Sequence, residues 1–120
     1  MDEAISCLKE WQKILRLQDW EIVLKISRHD DMGLDEVCGS SNWVLARGEA
    51  ILKLLDPIDY SSDIVFPQDQ EVTLVHELLH LHYAPFSENF ERGSLEHIAL
   101  EKSIEVTAKA LVALKRGDAQ

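Results

Sequence analysis

Residues 72–81 set Val72, Leu74, Val75, Leu78, Leu79 and Leu81 around almost the whole circumference of a helix, with His76, Glu77 and His80 among them. A helix that is apolar on nearly every side is a buried helix, so this segment belongs at the centre of whatever fold forms. Burying an ionised carboxylate and two imidazoles without partners costs several kcal/mol. A metal ion removes that objection. Pro67 and Asp69 stand just before the pattern and Pro85 just after it. They predict a helix of about four turns with an acidic first turn that suits its dipole.

Two histidines four positions apart stand one turn above each other, so both reach a single ion. Glu77, about 100° further round the helix, sits beside an attacking water rather than on the metal. That is the arrangement of H-E-x-x-H, in which the imidazoles bind zinc and the acid is the general base of a hydrolase.

Catalytic zinc usually has three protein ligands and an open position. Residues 94–115 read as a long helix, and its angular map narrows the choice of the third. Ile98, Ile104, Ala108, Leu111 and Val112 share one sector, which is the expected core face. Glu101 and Glu105 fall inside that sector, one turn apart, whereas Glu96 projects towards the polar side with Ser103 and Thr107. A carboxylate on a buried face needs a partner. The expectation is Glu101 on the metal, with Glu105 accepting a hydrogen bond from the free nitrogen of a liganding histidine. On the residues alone the two acids could exchange these roles.

His76-Glu77-x-x-His80 followed by Glu101-x-x-x-Glu105 resembles the gluzincin pattern, H-E-x-x-H and then E-x-x-x-D on a downstream helix. The resemblance implies His76, His80 and Glu101 as zinc ligands, Glu77 as base and Glu105 as the acid orienting a histidine. Glu105 stands where that family usually has Asp. The small size, the stretch from Leu79 through His80, Leu81, His82, Tyr83 and Ala84 to Pro85, and the region around Ala99, Leu100 and Glu101 are similar to minimal gluzincin-like metallopeptidases of phages and prophages.

Around this centre a scaffold is legible. Ala4, Cys7, Leu8, Trp11, Ile14 and Leu15 give helical spacing over residues 3–17. Residues 20–27 alternate as a half-buried strand, with Trp20, Ile22, Leu24 and Ile26 on one face. Residues 29–36 read as a loop. Residues 37–44 and 49–55 read as two strands turned by Arg47 and Gly48, the second buried on both sides and stopped by Asp56 and Pro57. Residues 57–68 form a loop to the metal helix, and residues 85–96 a loop after it. The fold class expected is α+β: a small zincin-like domain with an N-terminal helix, a three-stranded and mostly antiparallel sheet, the H-E-x-x-H helix and a C-terminal glutamate helix. By resemblance to zincins, an extended substrate would pair with a sheet edge at residues 39–43.

With 120 residues, one domain is expected. No run of about 18 apolar residues exists for a membrane span. The start at Met1, Asp2 and Glu3 lacks a secretory signal, and Cys7 and Cys38 do not imply a disulfide framework. A cytoplasmic protein with reduced thiols is the expectation. A formal charge of −10 at pH 7 disfavours nucleic-acid backbones and anionic membranes and tolerates a basic or unstructured peptide substrate.

The expected chemistry is zinc-dependent peptide hydrolysis with Glu77 as base. Tyr83, His97 and Tyr60 are candidates for the oxyanion donor or the cleft lining. His82 points away from the metal face, and His29 reads as a loop residue. Three alternatives stand beside this reading. Glu36-x-Cys38-x-Ser40 resembles a stretch of peptide deformylases in which Cys is the third ligand, which would make Cys38 a metal ligand. A second is a non-catalytic zinc-binding regulatory module of phage origin. The third is a latent protease directed by a regulatory partner.

Overall fold

The amphipathic N-terminal stripe forms α1 (Asp2–Ile14), with Leu8 and Trp11 buried and acids in the first turn. The helix stops earlier than residue 17 because Arg16 takes a left-handed φ of 61°. That bend returns Leu17 to the core, and its amide bonds the carbonyl of Gln12 at 2.7 Å. The computed structural model describes residues 2–32, 38–60 and 69–117. The parts of the expected loops at residues 33–36 and 61–68, the strand start at Val37, the pre-helix Pro67 and the deformylase-like Glu36 lie outside these.

Three strands follow: β1 (Glu21–Ser27), β2 (Gly39–Val44) and β3 (Glu49–Leu55), arranged in the order β1-β3-β2. β2 and β3 form the expected antiparallel hairpin, turned by residues Leu45–Arg47 and a left-handed Gly48. β1, however, pairs with β3 in parallel, Leu24 opposite Leu52 and Ile26 opposite Leu54. The sheet is therefore mixed and not mostly antiparallel. Alternation puts the same side chains on the inner face whichever way a strand runs, so it carries no information about direction. The central strand also differs from expectation. Ala50, Leu52 and Leu54 are buried, while on the other face Ile51 is exposed, Lys53 half-buried and only Leu55 buried, so that face is covered at its end alone.

That covered face packs on α2 (Gln70–Ser87), which meets β2, β3 and both other helices. Asp69 caps α2, its side chain accepting from the amides of Glu71 and Val72. Pro85 does not end the helix, which runs on to Ser87. Proline removes its own amide donor and crowds the carbonyl four residues back, but only Phe86 and Ser87 of the helix follow it, so the disturbance falls on the last turn. The link to the next helix is correspondingly shorter than expected, spanning residues 88–94. Then α3 (Leu95–Arg116) starts at a Ser94 cap and stops at a left-handed Gly117.

On α3, Ile104, Ala108 and Val112 are buried as expected, but Ile98 is 57% exposed. Ile98 lies about 80° round the helix from Ala108, at the flank of the buried sector rather than its centre. Leu8, Trp11, Leu24, Leu52, Leu74, Leu78, Leu81 and Ile104 belong to one continuous core. The C-terminal turn of α3 is tied to the start of α2. Arg116 bonds Asp69 and Glu71, Lys115 bonds Glu71, and Trp11 of α1 donates to Glu71 at 2.7 Å. These contacts fix the rotation of α2 about its axis, and hence where its histidines point.

Candidate metal centre

The four-residue spacing on α2 stacks the imidazoles of His76 and His80, with ring centroids 5.2 Å apart. Both face α3. There the Glu101 carboxylate spans them, one oxygen 3.1 Å from Nε2 of His76 and the other 3.0 Å from Nε2 of His80. One ligand atom from each of these three residues lies within 4.8 Å of the other two. On the opposite side of the first ring, Nδ1 of His76 donates to Glu105 at 2.9 Å. The structure brings these four residues together, with Glu101 in the central position and Glu105 in the outer one.

The donor chemistry fits a divalent cation. His76 has a carboxylate oxygen on both ring nitrogens, yet a neutral ring carries one proton. With that proton on Nδ1 towards Glu105, the Nε2 lone pair faces Glu101, an arrangement that a positive charge between them satisfies. Two imidazole nitrogens and a carboxylate form a usual zinc set. Burial alone would lower the pKa of His76, but the Glu105 hydrogen bond and the charges of Glu77 and Glu101 outweigh it and raise the ring above its usual value. For His80 burial wins over the Glu101 attraction, and its pKa is lowered.

Glu77 points off this set towards β2 and is only 7% exposed. Burial pushes its carboxyl up to about 7, against the opposing effects of His76 and a Ser41 hydrogen bond. β2 approaches closely here because residue 39 is glycine. A Cβ on Gly39 would lie 2.6 Å from Cγ2 of Thr73 and 3.2 Å from a Glu77 oxygen. The carboxylate is thus held between the helix and an edge strand.

These groups open into a cleft of about 1020 Å³, walled on one side by residues 39–41 and Trp43 and on the other by His97, Glu101 and Glu105 of α3. Trp43 donates to Glu88 at 3.0 Å, joining the end of β2 to the end of α2. His97 lines the cleft, its Nε2 3.9 Å from Glu101. Tyr83 is 38% exposed and does not line it. Tyr60 does not either. Its hydroxyl is buried without a hydrogen-bond partner among the described residues, and burial pushes its pKa up to about 12. His82 reaches the carbonyl of Leu15, a structural tie, and His29 sits in a short helical turn on the surface.

Cys38 lines the cleft but is not part of the donor group, and its thiol is raised by burial and by the nearby Glu105. The third donor among the described residues is a carboxylate, and nothing here places the thiolate of the deformylase-like alternative on the ion.

Five residues that line the cleft escaped sequence reading. Thr73 stands one turn before Glu77 on α2 and was legible from spacing. Lys102, next to Glu101 on α3, was legible in the same way, whereas Met32, Phe90 and Arg92 were not, because chain connections outside the periodic elements bring them in. Comparison with protein-family models, curated proteins and solved structures finds no match to the chain. Among the described residues no helix is long and apolar enough to cross a membrane.

Proposed function

We propose that the chain is a zinc-dependent peptide hydrolase, a minimal zincin-like domain with a gluzincin donor set. The observation that carries this reading is the Glu101 carboxylate, which reaches both Nε2 atoms of the H-E-x-x-H pair. His76, His80 and Glu101 would hold the ion. Bound zinc supplies Lewis acidity, polarising a carbonyl and making water a stronger acid.

The protein's own groups do the rest. Glu77 takes a proton from the attacking water while the hydroxyl adds to the scissile carbonyl carbon. It then returns that proton to the amine nitrogen as the C–N bond breaks. Burial favours the protonated form of this carboxyl, which suits its holding the water's proton until the amine takes it. Glu105 keeps His76 in the tautomer that leaves Nε2 available. β2 is an edge strand beside Glu77, so an extended peptide can add to it through main-chain hydrogen bonds. A cytoplasmic setting suits a core that contains no disulfide among the described residues.

The test is to strip the protein of metal and assay a library of internally quenched peptides with and without added zinc. Zinc-dependent cleavage is expected, with Glu77→Gln binding zinc normally and cleaving about 100-fold or more slowly. Equal cleavage by the stripped protein, or by Glu77→Gln, would contradict the reading.

A further inference from the structure

The ring of His97 is anchored at both ends of its residue. Its backbone amide donates to Oγ of Ser94, the cap of α3, at 3.1 Å. Its Nδ1 accepts from the amide of Gly93 at 3.1 Å. Gly93 adopts φ 82° with open space where a Cβ would stand, so this glycine is needed for the backbone bend that aims its amide at the ring and not for packing. A backbone N–H can donate only to an imidazole nitrogen that lacks a proton. In the neutral ring the proton is therefore on Nε2. That nitrogen lines the cleft and makes no hydrogen bond among the described residues, since Glu101 at 3.9 Å is out of reach.

A donor so fixed, one helical turn before Glu101 and facing open cleft, is preorganised for an oxygen that gains negative charge. We propose that His97 is a catalytic residue, donating its Nε2–H to the scissile carbonyl oxygen as the tetrahedral intermediate forms. The proton stays on His97 throughout, and the hydrogen bond strengthens as the oxygen becomes anionic. This assignment rests on the hydrolase reading above and adds the oxyanion donor that the reading lacks. Among the other candidates, Tyr60 has a buried hydroxyl and Tyr83 does not face the cleft.

Three measurements on the full chain test it. A long-range ¹H–¹⁵N correlation spectrum of the zinc-loaded protein reports which nitrogen of His97 carries hydrogen. Nε2 is expected, and an Nε2 without hydrogen, whether bound to the ion or not, would overturn the proposal. Zinc affinity by chelator competition should be unchanged within about twofold in His97→Ala, whereas a hundredfold loss would identify a ligand and likewise overturn it. On the best-cleaved quenched peptide, His97→Ala should lower kcat by about 100-fold with KM little changed. His97→Gln, whose amide can place an N–H near the same point, should recover part of that loss. Wild-type kcat in a folded, zinc-loaded His97→Ala protein would overturn the role of His97 alone. Absence of cleavage by the zinc-loaded wild type would instead overturn the hydrolase reading, and His97's role with it.

Discussion

Single atoms decide most of this site. Glu105 touches His76 only at Nδ1, so its effect on an ion passes through the ring. Replacing it by Ala is expected to weaken zinc binding about 10- to 100-fold, measured by competition with a chelating dye. Glu101→Ala removes a ligand and should cost more, while Cys38→Ser, outside the donor group, should leave affinity unchanged.

A second acid, Glu71, holds the helices and not the ion. Burial would raise its pKa, but bonds from Lys115, Trp11 and Arg116 lower it to about 2 from an ordinary 4.5. Because the folded value is the lower one, the stability Glu71 lends is whole above about pH 4.5 and is lost as the pH falls towards 2. Glu71→Gln should therefore lower stability by about 2 kcal/mol at pH 7. The gap to wild type, read from urea midpoints, should narrow steadily below pH 4.5.

Between elements, the contact that matters is β2 against α2. Gly39→Ala would drive a methyl group into Thr73 and crowd Glu77, pushing the edge strand outward at a cost of about 1–3 kcal/mol. Cleavage should suffer more than zinc affinity, since the nearest atoms the added methyl group meets belong to Thr73 and Glu77 and to no ligand. Adding Thr73→Ser removes the opposing Cγ2 and should restore part of both stability and cleavage.

The same elements mark how far sequence reasoning reaches. The helix carrying His76 and His80 and the acids of α3 were legible because a 3.6-residue period ties position in sequence to position on a face. Glu101 and Glu105 were recoverable from that period alone. The parallel pairing of β1 was not legible, because Leu24 and Ile26 turn inward whichever way the strand runs. Nor were Met32, Phe90 and Arg92, whose arrival at the cleft depends on the connections between elements. Ile98 misled for a related reason: it shares the sector of Ala108 but sits at its rim.

At the scale of the molecule, one core supports a cleft whose floor carries His76, His80 and Glu77. The wall opposite brings Glu101 and Glu105, so three carboxylates converge in a protein that already carries −10. Their mutual repulsion works against the metal-free fold, and a divalent cation relieves it. Zinc at 100 times its dissociation constant should stabilise the fold by about 2.7 kcal/mol, seen as a rise in thermal midpoint that chelator reverses. Glu101→Ala should abolish that rise.

The most direct measurement is an anomalous difference map collected above the zinc absorption edge from crystals grown with zinc. A single peak bonded to Nε2 of His76, Nε2 of His80 and the Glu101 carboxylate is predicted. A zinc-saturated crystal with no peak there, and with Glu101 turned away from both rings, would contradict the account.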